Sequence, residues 1–286
     1  MSISQFSTAV EAEPELSCAS CVVVDSKGKV LFARSPMVRL PNASTTKMVT
    51  AMVVVNQTDL DAEVTLSAEA GSVGGGLVDL EAGSTFSVKE LLHALMLASS
   101  NEAAVALAEH VAGSEAAFVE TMNEVAGDLG AESTHFVTPH GLDTPGHYST
   151  AQDLAILGLA LLDDPVLAEI VRTRSTTIQS EQGHALDLEN SNGLLETYSG
   201  SVGIKTGMTV GAGDVLVAAA RRRGALVVAV AMRSADAEVD AGQLLDLGFE
   251  VGTASLRRES KKVVTDVRAG ISALLANISE AVGASR

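Results

Sequence analysis

Pro41-Asn42-Ala43-Ser44-Thr45-Thr46-Lys47-Met48 is the stretch around which the rest of the chain arranges itself. Pro41-Asn42-Ala43 halts the preceding segment, and Ser44 through Val55 then carries a continuous apolar pattern of helical type. Just upstream, Cys21 to Asp25 is β-rich, Ser26-Lys27-Gly28-Lys29 reads as a turn, and Val30 to Arg34 returns as a strand, so a hairpin leads into the helix. Downstream, Val64 to Ala70 reads as extended and Gly71-Ser72-Val73-Gly74-Gly75-Gly76 as a loop. Helix then follows helix from Ser87 to about Leu129. There, Ser87-Val88-Lys89-Glu90 fits a capping box, and Ser114 to Leu129 and Ser149 to Leu162 form later amphipathic runs. Strand patterns resume at Ser175 to Ser180, Ser201 to Thr206, Val215 to Ala220 and Ala225 to Met232, and Ala237 to Gly248 closes the compact part as a helix. This order predicts an α+β fold, with a helical block inside a largely antiparallel sheet whose strands come from both chain ends.

Ser44 and Lys47 stand at i and i+3, a spacing that puts both on one helix face. A serine hydroxyl is a poor nucleophile until a neighbouring base takes its proton, and a lysine serves only when neutral. Met48, Val49, Met52 and Val53 surround Lys47 with apolar side chains, and Lys205 supplies a second cation, so desolvation and like-charge repulsion both lower its pKa. The free amides of a helix start favour the negative charge that develops at Ser44. Taken alone, the pair reads more readily as a helix cap beside an exposed lysine. Two further short motifs change that reading. Ser99-Ser100-Asn101 lies between two helical runs, where the Ser99 hydroxyl can relay a proton and the Asn101 amide can hold a substrate backbone. Lys205-Thr206-Gly207 ends a strand, offering a cation and a hydroxyl for a carboxylate. Gly207 there leaves room for a peptide along the strand edge.

Composition narrows the function classes. The 286 residues carry a formal net charge of -17, with 3% aromatics and no Trp. That balance opposes phosphate neutralisation on nucleic acid and attraction to an anionic membrane. No run of eighteen apolar residues occurs, and MSISQFSTAVEAEPEL lacks the basic-then-apolar order of a signal peptide. Cys18 and Cys21 form a lone CxxC with no second ligand pair, and read as small buried residues rather than a zinc site or a mutual disulfide. His135, His140 and His147, with Asp143 between them, form a rival zinc-peptidase constellation. Their spacing matches no helix motif of the HExxH type, and Pro139, Gly141, Pro145 and Gly146 exclude a helix there. Neither a metal nor another cofactor is expected.

In the order SxxK, SxN, KTG, the three motifs resemble the active-site signature of the serine penicillin-recognising enzymes. Their flanks sharpen the match: Pro41 to Met48, Leu97 to Ala103, Thr134-His135-Phe136, His140-Gly141-Leu142-Asp143 and Gly203 to Gly207 look like the D-alanyl-D-alanine carboxypeptidase family, the low-molecular-mass penicillin-binding proteins. The resemblance covers residues 18 to 252, leaving an N-terminal extension over 1–17 and a helical tail over 253–286. It implies a transpeptidase-like domain, a five-stranded antiparallel sheet flanked by helices with an inserted helical subdomain, and a structural role for the HGL segment. Carried over, Ser44 is the acylated nucleophile, Lys47 its base, Ser99 and Asn101 act in proton relay and positioning, and Lys205 and Thr206 engage the terminal carboxylate. The backbone amides of Ser44 and Met208 form the oxyanion hole that the resemblance implies. The substrate implied is a peptidoglycan stem peptide ending in D-Ala-D-Ala, and β-lactams acylate the same serine.

Three departures stand out. Met208 stands where relatives often have His. The short Met232-Arg233-Ser234-Ala235-Asp236 segment leaves Arg233 to replace an Arg that relatives place near the carboxylate. The residues after 252 are too few for the C-terminal β domain of many relatives, and their spacing (Val263, Val264, Val267, Ile271, Leu274, Leu275, Ile278) makes an amphipathic helix that packs or touches a membrane. The family works outside the cytoplasmic membrane, which implies a signal segment absent from this chain. Two alternatives stay open on the sequence: a sensor that is acylated with little turnover, and a class A-like β-lactamase. The latter has Ser-Asp-Asn at the second motif and a Glu-x-x-Leu-Asn element, neither of which occurs here.

Overall fold

The structure, a computed structural model, describes residues 15–252. The chain divides at Gly248: one compact unit runs up to it, and Phe249 opens a second. The tail over 253–286 and its expected amphipathic helix lie outside the described residues.

The main sheet has five antiparallel strands in the order β2-β1-β9-β8-β7. β1 (Ser20–Asp25) and β2 (Val30–Arg34) come from the N-terminal hairpin. β7 (Ser201–Thr209), β8 (Gly213–Arg222) and β9 (Ala225–Ser234) follow much later, and β9 pairs with β1 to unite the two ends of the domain. β8 and β9 are near-continuous runs of Val, Ala and Leu because both faces of the sheet are covered. On one face lies α5 (Ala151–Asp163), where a Cβ at Gly158 would meet Val217 at 2.9 Å and Val228 at 3.7 Å. On the other lies the helix that opens at residue 237, where a Cβ at Gly248 would meet Val23 and Val227 at 2.6 Å. Val227 and Val228 are successive residues of one strand, so the two helices lie on opposite faces.

Between β2 and β7 sits the helical block: α1 (Lys47–Gln57), α2 (Val88–Met96), α3 (Asn101–Ala112), α4 (Glu115–Asp128) and α5, with α6 (Pro165–Arg172) after them. From Lys47 to Val54 every residue of α1 is buried, which makes it the central helix of the domain. The capping box at Ser87 and Glu90 forms as its sequence predicts, with amide and side-chain bonds in both directions.

Several boundaries differ from the sequence reading. Of Val64 to Ala70 only β3 (Glu63–Thr65) is a strand, paired with β4 (Thr85–Ser87). Ser175–Gln179 (β5) pairs with β6 (Ala185–Glu189) in a separate hairpin rather than joining the main sheet. α6 and β6 were not anticipated. Asp164-Pro165 was the available signal for α6, since Asp164 Oδ1 accepts from the Val166 and Leu167 amides at 2.8 and 2.9 Å and Pro occupies the first turn. Cys18 and Cys21 are buried and free. Cys18 precedes β1, so strand alternation does not separate the two, and each thiol shifts the other, Cys18 upward and Cys21 downward.

Candidate active site

The chain enters the site through a tight turn. Ala43 has φ +48°, a left-handed conformation costly for a residue with a Cβ. Ala43–Thr46 then forms a 3-10 turn before α1 begins at Lys47, so Ser44 precedes the α-helix instead of opening it. Side chains from the same stretch lock the turn. Thr45 Oγ1 donates to Asn42 O at 2.6 Å, Thr46 Oγ1 donates to Ala43 O at 2.8 Å, and Asn42 Nδ2 donates to both hydroxyls. Ser44 is left half-buried while Lys47 is fully buried.

Lys47 Nζ donates to Ser44 Oγ at 2.9 Å, to Asn101 Oδ1 at 2.6 Å and to His140 O at 3.0 Å. Those contacts use all three ammonium protons. Burial first, then the charge of Lys205, holds the Lys47 pKa well below the ordinary lysine value, with buried Glu102 opposing them. Once neutral, Lys47 keeps two protons and one lone pair. Asn101 Oδ1 and His140 O can only accept, so Ser44 is the one partner able to donate to that lone pair. The arrangement of acceptors therefore directs proton transfer from Ser44 to Lys47.

Asn101 is the first residue of α3, and Ser100, not Asn101, is the cap, accepting from the Ala103 amide at 3.1 Å. With Oδ1 on Lys47, Asn101 Nδ2 donates to Gly74 O at 2.7 Å. The amide thus orients the base through Oδ1, and the second hydrogen of Nδ2 stays available for the substrate backbone that the sequence reading assigned to it. Ser99 sits at φ +56° and is half-buried, and its hydroxyl has no hydrogen-bond partner among the described residues, leaving it available to a ligand. Segments 74–76 and 99–101 are in contact: a Cβ at Gly76 would lie 2.9 Å from Ser100 Cα.

Strand β7 forms the opposite wall. Lys205 is buried at 1% exposure, donates to Thr206 O at 3.1 Å, and has its pKa lowered to about 7 by burial. Thr206 Oγ1 shares a 2.6 Å hydrogen bond with Ser191 Oγ, and the Ser191 amide donates to Leu97 O at 3.0 Å. Ser191 thus bridges the second and third motifs. The sequence reading missed it, because nothing in its flanking Asn190 and Asn192 marks it apart from an ordinary loop. The strand continues past Gly207 to Thr209 instead of ending at the motif. A Cβ at Gly207 would lie 2.8 Å from Ser44 N and 3.1 Å from Thr45 N, so the glycine admits the nucleophile turn against the strand. Met208 follows with its side chain 74% exposed, so only its backbone is available to the site interior. Arg233, at φ +51°, donates to Gly211 O at 3.3 Å, which aims it at the tip of the β7–β8 hairpin and not at Lys205 or Thr206.

The three histidines make separate contacts, and among the described residues no three His, Cys, Asp or Glu side chains converge as a metal site would need. His135 Nδ1 lies 2.8 Å from Gly146 O. His140 accepts from the Leu142 amide, and His147 Nδ1 accepts from the Val137 amide. The Nε2 of His147 therefore bears the proton in its neutral form and meets Thr46 Oγ1 at 2.8 Å. His140 and His147 are both pushed down to about 4, first by burial and then by neighbouring positive charge. Both stay neutral at ordinary pH, and His147 braces the nucleophile turn through Thr46.

The model of the family described as D-alanyl-D-alanine carboxypeptidase matches residues 7–236. Among curated relatives, DacB2 of Mycobacterium tuberculosis is 36% identical over 222 residues, which cover 77% of this chain and 76% of that protein. DacF of Bacillus subtilis is 34% identical over 80% of this chain and 61% of its own length. The chain thus spans less than two thirds of some relatives it matches. Among solved structures, the Streptomyces K15 DD-transpeptidase superposes with a TM-score of 0.79 at 30% identity, covering 84% of this chain and 99% of that one. A D-alanyl-D-alanine carboxypeptidase from M. tuberculosis superposes at 0.78 with 34% identity, over 83% of this chain. The shared fold, the match across most of the length and the convergence of all three motifs on one cleft lead to a single assignment: this chain belongs to the D-alanyl-D-alanine carboxypeptidase family of serine peptidases.

Proposed function

We propose that this protein is a serine-type D-Ala-D-Ala carboxypeptidase that removes the terminal D-Ala from peptidoglycan stem peptides through an acyl-enzyme on Ser44. The observation that carries the proposal is the 2.9 Å contact between Ser44 Oγ and a buried Lys47 whose other two partners can only accept protons. Neutral Lys47 takes the Ser44 proton as Oγ attacks the penultimate carbonyl. The developing oxyanion is received by the Ser44 and Met208 amides, which the close approach at Gly207 brings onto the same wall. Ser99, free of internal partners, passes a proton to the departing D-Ala amine. Lys205 and Thr206 hold the terminal carboxylate, whose charge raises the Lys205 pKa from about 7 and keeps that lysine protonated when substrate is bound. Water then attacks the ester with Lys47 as base. No step uses a metal or organic cofactor.

β-Lactams carry a strained amide and a carboxylate in the same relation, and acylate Ser44 by the same route. We place the enzyme outside the cytoplasmic membrane, where stem peptides are exposed.

Intact-mass spectrometry after mixing with penicillin, followed over time, tests the reading. One adduct per chain, mapped to the peptide bearing Ser44 and absent in Ser44→Ala, is expected, together with release of D-Ala from a D-Ala-D-Ala peptide. An adduct that survives Ser44→Ala overturns the nucleophile. Acylation without any D-Ala release favours the sensor alternative.

A further inference from the structure

The loop from Pro139 to Ser149 contacts residues on both segments that carry the two oxyanion-hole amides, the turn around Ser44 and the strand end around Met208. On the nucleophile side, Thr50 Oγ1 donates to Pro139 O at 2.6 Å, Lys47 Nζ to His140 O at 3.0 Å, and Thr46 meets His147 at 2.8 Å. Gly141, at φ +86°, lies so close that a Cβ there would fall 2.0 Å from Ala43 O, which only glycine permits. On the strand side, Asp143 grips the β7–β8 hairpin with both carboxylate oxygens. Oδ1 accepts from Thr209 Oγ1 at 2.6 Å and Oδ2 from the Gly211 amide at 2.9 Å, while Thr209 Oγ1 itself accepts from the Ala212 amide at 3.0 Å. Arg233 holds the same tip through Gly211 O at 3.3 Å. The gripped residue, Thr209, directly follows Met208.

The loop is also cross-linked within itself. The Gly141 amide donates to Thr138 Oγ1, the Leu142 amide to His140 Nδ1, Thr144 Oγ1 to Leu142 O and the His147 amide to Thr144 O. A segment with that many internal bonds moves as one piece, so its two ends keep a fixed separation.

We propose that this loop is a bracket setting the distance between the Ser44 and Met208 amides, and that Asp143 is the positioning residue that ties it to the strand carrying Met208. The proposal rests on the carboxypeptidase reading above and adds Asp143 to its machinery. Asp143 touches no reacting atom; it acts through the backbone of Thr209 and Met208. An oxyanion hole is useful only when both donors meet the oxygen as it becomes charged, so a loosened bracket weakens the transition state more than the bound substrate.

The test compares Asp143→Ala, Asp143→Asn and Thr209→Val with wild type, measuring kcat and KM for a D-Ala-D-Ala peptide, the rate of penicillin acylation by intact mass, and Tm. Asp143→Ala should lower kcat and the acylation rate together by roughly tenfold to a hundredfold, the scale for misplacing a catalytic donor, with KM within about threefold. Asp143→Asn keeps one acceptor and should fall between Ala and wild type. Asp143→Ala combined with Thr209→Val should be little worse than Asp143→Ala alone, because the Thr209 contact is one of the two that Asp143→Ala has already removed. If Asp143→Ala does not fold, Asp143→Asn and Thr209→Val carry the test. Wild-type kcat in these variants, or a loss confined to KM or to Tm, overturns the bracket. A wild-type protein that neither hydrolyses the peptide nor takes up penicillin overturns the carboxypeptidase reading instead, so the two failures are distinguishable.

Discussion

Lys47 Nζ lies 2.9 Å from Ser44 Oγ, and of its three partners only Ser44 can return a proton to it. Arginine at this position keeps its charge and cannot serve as a base at working pH. Lys47→Arg should therefore lose acylation by at least the ~10²–10⁴-fold typical of removing a positioned base. Lys47→Ala, measured beside it, separates loss of the base from misfit of the larger guanidinium. Penicillin uptake near the wild-type rate in Lys47→Arg would show that another group deprotonates Ser44.

Lys205 should behave differently. It is needed as a cation beside a carboxylate, and Arg preserves that charge, so Lys205→Arg should remain active and lose mainly on peptides with a free C-terminal carboxylate. Steady-state kinetics on matched carboxylate and amide peptides would read the difference. A fully inactive Lys205→Arg beside an active Lys47→Arg would exchange the two roles.

Ser191 and Thr206 share one 2.6 Å hydrogen bond, so between their two hydroxyls one proton points inward and one remains for a ligand. Ser191→Ala leaves Thr206 without this partner. The expected effect is a fall in kcat/KM of roughly fivefold to tenfold, the scale of a single hydrogen bond, seen with carboxylate-terminated peptides and restored by Ser191→Thr. An equal loss on amide-terminated peptides would assign Ser191 a purely structural role.

Gly207→Ala tests the contact between strand and nucleophile turn. The new methyl would sit 2.8 Å from Ser44 N and 3.1 Å from Thr45 N, both backbone atoms that cannot swing aside. Acylation by penicillin should fall by about 10²-fold as the turn is pushed off the strand. Wild-type acylation in this variant would show that the turn is free to shift without cost.

Stability should depend on pH through His140 and His147. Both have folded pKa values of about 4 against an ordinary 6.5, so the unfolded chain binds more protons between those limits. Their contribution is fully present above pH 6.5 and is lost as pH falls toward 4. Within that window each group loses at most about 1.4 kcal/mol for every pH unit. Thermal melts should show Tm dropping over the same range. His147→Gln should start lower and flatten the profile; an unchanged slope in His147→Gln would locate the acid sensitivity elsewhere.

Much of this architecture was legible in local sequence. The capping box at Ser87 and Glu90 and the apolar run after Ser44 are short-range patterns; the first formed as read, and the second became α1 from Lys47 onward. The inner strands β1 and β9 were legible for the same reason, since Val22 to Val24 and Val227 to Val230 are apolar runs bounded by turns. The separate β5–β6 hairpin was not, because Ser175 to Gln179 alternates like any half-buried strand and its pattern does not say which sheet it joins.

The sequence by itself determined which residues are chemically capable: a serine and a lysine one helical turn apart, a second serine with an asparagine, and a lysine-threonine-glycine on a strand. These are statements about residue type and near-neighbour spacing, and they hold before the chain folds. Only the tertiary structure decided what each does. Asn101 reaches Lys47 across 54 positions and His140 O across 93, and those contacts make Ser44 the sole donor to the base. Gly207 proved to admit the Ser44 backbone against the strand, and Asn101 to orient the base through Oδ1. Burial that lowers the pKa of Lys47 and Lys205 exists only once the helical block closes over the sheet, because desolvation belongs to the packed interior and not to any local run of residues.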